Sequence, residues 1–154
     1  MTAQNSKHVV LAAWQALASR DPQRIAAMFA EDAEWLAPAN NATAAALNGV
    51  SHMIGREQIV QSLGTDIWKL FTANVKVEFR GVYADGDIVV VEHRMQATLA
   101  NGNTYDNDYC FVFEVENGLI RRVREYMDTA RGHHMIFAAG GSEPFAPGPS
   151  GSKS

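Results

Sequence analysis

VKVEFRGVYADGDIVVVEHRMQATLANGNTYDNDYCFVFEVENGLIRRVREYM, residues 75–127, decides the fold. Val75, Val77 and Phe79 alternate with Lys76, Glu78 and Arg80, the period of a strand with one buried face. Three turn dipeptides interrupt the stretch: Asp85-Gly86, Asn101-Gly102 and Asn117-Gly118. Such pairs accept the positive φ angles of tight hairpins. Strands from Val75 and over 87–99, 104–115 and 119–127 therefore form an antiparallel meander.

Upstream the period changes to that of helices. Val10, Ala13, Trp14 and Leu17 form one apolar stripe, with Ser6 as the expected N-cap. Asp21-Pro22 restarts the chain as cap and first helical residue, and Ile25, Met28 and Phe29 give the second helix its apolar face. Glu31 to Leu36 leads into a short strand. The segment 38–54 reads as a long loop, suited to a lid. A third helix spans Gly55 to Phe71, weakened at Gly64. Helices first and a curved antiparallel sheet after them make an α+β fold, with the helices packed on one face of the sheet. The expected boundaries are a flexible 1–6, a domain at 7–137 and a disordered tail at 138–154, rich in Pro, Gly and Ser.

Composition narrows the function. The chain has 154 residues, 47% hydrophobic and 19% charged, with net charge −4. That balance argues against nucleic acid or an anionic membrane as partner, and no apolar run is long enough for a membrane span. With no apolar leader at the start, the expected compartment is the cytoplasm, and the Asn41-Ala42-Thr43 sequon is taken as chance. Cys110 is the sole cysteine, so a disulfide framework and a thiolate zinc site are excluded. It reads as a buried or interface thiol.

Turn length sets which side chains share the inner face. A two-residue turn at Asn101-Gly102 pairs Arg94 with Tyr109 and Glu92 with Phe111. It puts Glu92, Arg94, Gln96, Asn107, Tyr109, Phe111 and Phe113 on one side. A three-residue loop at Glu116-Asn117-Gly118 adds Val123, Glu125 and Met127. In this register Glu92, Arg94 and Glu125 converge on an apolar face, and His93 and Cys110 point outward. Two carboxylates beside one guanidinium leave one carboxyl to rise in pKa, which suits acid–base chemistry near neutrality. The other reading of the same trio is a self-satisfied ion cluster. Asn107 and Tyr109 either bind a ligand's polar group or satisfy the trio. Trp14, Trp35, Trp68 and Phe71 are at once core and pocket wall.

Several segments resemble the nuclear transport factor 2-like superfamily, closest to its SnoaL-like, ketosteroid-isomerase-related branch. They are Phe29-Ala-Glu-Asp-Ala-Glu-Trp35, Gly55-Arg-Glu-Gln-Ile59, Gly86-Asp-Ile-Val-Val-Val-Glu92, Asn101-Gly-Asn-Thr-Tyr105 and Arg124-Glu-Tyr-Met-Asp128. The resemblance covers roughly 7–137. It implies a cone-shaped curved antiparallel sheet with three N-terminal helices enclosing a deep apolar pocket, and a homodimer through the outer sheet face. It is distantly similar to limonene-epoxide hydrolase, whose last-strand acid matches Glu125. The water-holding Tyr and Asn of that family fall here at Trp35 and Ala37, and its Arg-x-Asp pair is replaced by Glu92-His93-Arg94. The ketosteroid-isomerase base before Pro38 is Ala37.

The histidines show no metal-ligand spacing: His133 and His134 are adjacent, and His52 lies in the long loop. There is no glycine-rich phosphate loop. No metal and no cofactor are expected. The leading function is a cofactor-independent isomerase, dehydratase or cyclase on a small apolar organic molecule. Glu125 is its acid or base, Arg94 the orienting cation and Glu92 the support of Arg94. Asn107, Tyr109, Trp35, Trp14, Trp68 and Phe111 bind substrate. The alternatives are a binding module without catalysis and a reorganised epoxide hydrolase.

Overall fold

The computed structural model describes residues 2–138. The expected tail lies outside them, apart from its first residue. Helix α1 (Ala3–Ser19) is followed by the short α2 (Pro22–Ala26), with Asp21 capping α2 through Gln23 N as its sequence requires. Helix α1 begins earlier than expected. Thr2 is its cap, so residues 3–6 are helical, and Ser6 is buried inside it, its Oγ donating to the Gly86 carbonyl at 2.8 Å.

Strand β1 (Phe29–Leu36) comes next. The segment read as one long loop contains α3 (Ala42–Leu47), capped by Asn41, and β2 (His52–Ile54). The third expected helix stops at Gly64: α4 (Arg56–Gly64) gives way to a 3-10 turn, Asp66–Lys69. Four long strands follow, β3 (Phe71–Asp85), β4 (Ile88–Leu99), β5 (Thr104–Glu116) and β6 (Leu119–Met127). A further helix, α5 (Thr129–Phe137), closes the described chain, capped by Asp128. The helices are thus not confined to the N-terminal part.

The fold is α+β, with one curved sheet in the order β2-β1-β6-β5-β4-β3. The meander β3 to β6 is antiparallel as expected, but β1 runs parallel to β6, pairing Trp35 with Val123 and Leu36 with Arg124. Helix α1 crosses the inner face, touching β3, β4, β5 and β6. Between them Val10, Ile25, Phe29, Ile59, Phe113 and Val123 are buried.

The register of β4 on β5 differs from expectation by one residue. His93 faces Tyr109 and Val91 faces Phe111. The loop holds three residues, Ala100-Asn101-Gly102, because Leu99 N donates to the Asn103 carbonyl. Gly102 takes the left-handed position at φ +88° that such a loop needs. A slip of one residue sends every side chain to the other face.

At the last hairpin the turn is the two-residue form, with Asn117 and Gly118 both at positive φ. A bulge between Glu114 and Val115 then shifts the pairing by one. Phe111 consequently faces Glu125, and Val123, Glu125 and Met127 keep the parity expected of them by a different route.

Candidate active site

A cavity of about 630 Å³ opens between the sheet's inner face and the helices. Trp14 from α1, Trp35 from β1, Trp68 from the 3-10 turn and Phe111 from β5 wall it. Asn41, Leu47 and Val50, from the segment around α3, border it too.

Two acids line this cavity: Asp66, paired with Lys69 at 3.2 Å, and Glu125. Glu125 keeps some accessible surface because it borders the open space, yet protein surrounds it. Burial pushes its carboxyl up to about 7, opposed only by the hydrogen bond from Trp35. That bond runs from Trp35 Nε1 to Glu125 Oε1 at 2.7 Å. The parallel β1–β6 pairing creates it by setting Trp35 beside Val123 and Leu36 beside Arg124.

The expected trio does not form. Glu92 and Arg94 stand on the outer face, where Glu92 is exposed. Arg94 holds Asp106 through two bonds, Nε to Oδ1 at 2.8 Å and Nη2 to Oδ2 at 2.6 Å. Neither residue orients Glu125, and Gln96 turns outward with them. The outer face carries further charge pairs, Arg80 with Asp108 at 2.8 Å and Arg124 with Glu114. Cys110 lies there as placed, its thiol pushed up by burial and then by the Glu92 charge.

His93 and Met95 take the inward positions. His93 is 3% exposed and sits among the rings of Trp14, Phe79, Tyr109 and Phe111, at centroid distances of 4.9 to 6.0 Å. Desolvation lowers its pKa to about 4, so the imidazole is neutral at physiological pH. Its Nδ1 is buried without a hydrogen-bond partner. The sequence carried a signal for this register. With β4 and β5 paired as observed, Arg94 meets Asp108 and lies diagonal to Asp106, two residues along, a favourable cross-strand charge match.

Asn107 and Tyr109 do face inward. Asn107 is buried beneath the cavity, and its Nδ2 donates to Tyr105 Oη at 3.2 Å and to the Asp128 carbonyl at 3.0 Å. It supports Tyr105 and α5 and does not line the cavity. Tyr105 and Tyr109 hydroxyls meet at 2.5 Å. Burial raises the pKa of both, and the nearby Glu125 charge adds to this. Tyr109 lines the cavity, stacked on Phe111 at 5.6 Å. Tyr105 was not among the expected site residues. Its role follows from α5, which the sequence reading missed.

His52 does not line the cavity. It pairs with Glu34 at 2.8 Å, and Glu34 also meets Arg122 at 3.1 Å. These two partners, His52 first, hold the Glu34 carboxyl below its ordinary value.

A SnoaL-like domain family matches residues 10–123. No curated protein sequence matches the chain significantly. Solved structures do. A nuclear transport factor 2-like protein of unknown function from Burkholderia pseudomallei K96243 is 19% identical with TM-score 0.75, over 87% of this chain and 98% of that one. A putative SnoaL-like polyketide cyclase from Jannaschia sp. CCS1 is 15% identical with TM-score 0.73, over 90% and 95%. An epoxide hydrolase of M. tuberculosis, similar to limonene-epoxide hydrolase, is 21% identical with TM-score 0.66, over 87% and 90%. At these identities the likeness is one of fold.

Proposed function

Since the chain belongs to the SnoaL-like domain family, we propose that it is a cofactor-independent enzyme that moves a proton on a small, mostly apolar organic molecule. Isomerisation, dehydration and cyclisation all begin this way. The observation that carries the reading is Glu125: an enclosed acid in a largely apolar cavity, with one hydrogen-bond donor and a pKa raised to about 7. A base near neutral pKa is half ionised at working pH and strong enough to take a weakly acidic C–H proton.

In this reading Glu125 removes a proton from carbon beside a carbonyl. Trp35 fixes the carboxyl's orientation. The enolate oxygen receives a hydrogen bond from Tyr109. Asn107 donates to the Tyr105 oxygen; in this reading Tyr105 in turn donates to Tyr109, and Tyr109's own proton is free for the ligand. Glu125 then returns its proton to another atom, which gives isomerisation. Where the enolate carbon instead attacks a second carbonyl, a ring closes, and the new alkoxide takes the proton. The putative polyketide cyclase among the structural relatives supports the latter class. The absence of Arg94 and Glu92 from the cavity speaks against the ion-cluster reading of Glu125.

The homodimer implied by the family stays part of the proposal, through the outer face with Cys110, Arg124 and Tyr126 and without His93 or Met95. Sedimentation velocity tests it.

The enzymatic test is hydrogen–deuterium exchange into 2-tetralone, an enolisable bicyclic ketone, followed by NMR in D₂O. Wild type is expected to accelerate exchange, and Glu125→Gln to lose roughly 10²–10⁴-fold of that rate. Equal exchange by both proteins would remove Glu125 as the base. No acceleration by wild type, over a panel of such ketones, would leave a binding cavity without catalysis.

A further inference from the structure

A buried imidazole with an unpaired nitrogen is costly to keep. His93 is 3% exposed, its side chain hydrogen bonds to no described residue, and it borders the cavity. Leaving a buried polar atom unmatched costs roughly 1–3 kcal/mol. An apolar residue would fill the same aromatic nest of Trp14, Phe79, Tyr109 and Phe111 without that cost.

Nδ1 is buried, so Nε2 is the ring nitrogen left for a ligand in the cavity that His93 borders. A neutral imidazole carries its proton on one of its two nitrogens, so Nε2 can pair with a ligand hydroxyl as donor or as acceptor.

The distance to Glu125 is set by the sheet. His93 faces Tyr109, Tyr109 faces Met127, and Glu125 lies two residues before Met127. Two strand spacings across and two residues along put their Cα atoms about 12 Å apart. Both side chains rise from the concave face into one cavity. Between them lies Phe111, flanked by Trp14 at 5.1 Å and Trp35 at 5.9 Å and stacked with Tyr109. This is an aromatic floor, Phe111 with Tyr109 beside it, that has His93 at one end and Glu125 at the other.

We infer that His93 is a second ligand anchor, and that the cavity takes a flat bicyclic or polycyclic aromatic molecule bearing an oxygen at each end. One oxygen-bearing end meets Glu125 and the other hydrogen-bonds to His93. The inference rests on Glu125 being the group that meets the ligand's reacting end, and it adds the class of molecule held there.

The test is calorimetric titration with 2,6-dihydroxynaphthalene and with 2-naphthol, which lacks the second oxygen. Wild type is expected to bind the diol at least about fivefold more tightly, the worth of one net hydrogen bond. His93→Leu should bring the ratio near one while leaving 2-naphthol affinity within about twofold. His93→Gln, which keeps a donor, should restore part of the ratio, and it carries the test should the Leu variant not fold. A wild-type ratio near one, or a ratio unchanged in both variants, overturns the anchor.

The two proposals separate cleanly. Ketone exchange that depends on Glu125, with no His93-dependent diol preference, removes this inference and leaves the acid–base reading. A His93-dependent preference without exchange keeps the anchored cavity and removes the catalysis.

Discussion

The indole Nε1–H of Trp35 donates to Glu125 Oε1 at 2.7 Å, the one hydrogen bond the carboxyl receives among the described residues. Trp35→Phe removes it together with one ring of the indole, and keeps an aromatic ring at the cavity wall. The bond favours the ionised form and lowers the Glu125 pKa against the burial that raises it. Its loss should move the Glu125 titration further up, by about one pH unit. A ¹³C NMR titration of the Glu carboxyl carbons reads it, and a midpoint at or below the wild-type value would contradict the role given to Trp35.

Stability should carry the same carboxyl's signature with a definite sign. A raised pKa in the folded state means that the folded protein binds the proton more tightly than the unfolded chain. Stability from this group is therefore full below the ordinary value of 4.5 and lost as pH rises to about 7. Glu125→Gln mimics the protonated form and escapes the loss. The rise to about 7 corresponds to roughly 3 kcal/mol. The variant should match wild type near pH 4.5 and exceed it by up to that amount at pH 8, as read by urea titration at both pH values. A variant less stable than wild type at pH 8 would show a carboxylate that the fold needs ionised.

Arg94→Met and Glu92→Gln should leave ketone exchange within about twofold of wild type, because both side chains lie on the far side of the sheet from Glu125. A tenfold loss in either would mean that the outer face communicates with the cavity.

Gly132 on α5 rests directly on the tyrosine network. A Cβ there would stand 3.3 Å from Asn107 Nδ2 and 3.6 Å from Tyr105 Oη. Gly132→Ala should cost about 1 kcal/mol by overpacking and weaken the Tyr105–Tyr109 contact. Denaturant unfolding measures the first effect. The Tyr109 hydroxyl proton, followed by NMR, measures the second.

Much of this architecture was legible in the sequence because the period-two pattern of β5 is unambiguous. Tyr105, Tyr109, Phe111 and Phe113 alternate with Asp106, Asp108, Cys110, Val112 and Glu114, and the face they define carries Tyr109 and Phe111 of the cavity wall. Strand β4 is different. Val89-Val90-Val91 and Glu92-His93-Arg94 are each uniform in character, so periodicity there cannot say which parity faces inward. Only the loop length could, and one extra loop residue exchanged Glu92 and Arg94 for His93. Glu125 survived because the turn length and the bulge in β6 offset one another. Parallel pairing of β1 with β6 left no local trace, since the partners are joined by contacts that no short window contains. Helix α5 follows a strand within two residues and spans nine, too short for a strong periodic signal.

The Trp35–Glu125 bond also says when the site comes into being. Its partners are 90 positions apart in sequence, held together by a parallel pairing of an early strand with the last one. Closing so long a loop costs entropy before any contact offsets it, and contacts of large sequence separation slow folding. A chain emerging from the ribosome can form α1, α2 and the β4–β5 hairpin in turn. It cannot form the Trp35–Glu125 bond until residue 125 has emerged and β6 has found β1. Recovery of Glu125's shifted titration should therefore trail the recovery of helix and hairpin signals during refolding.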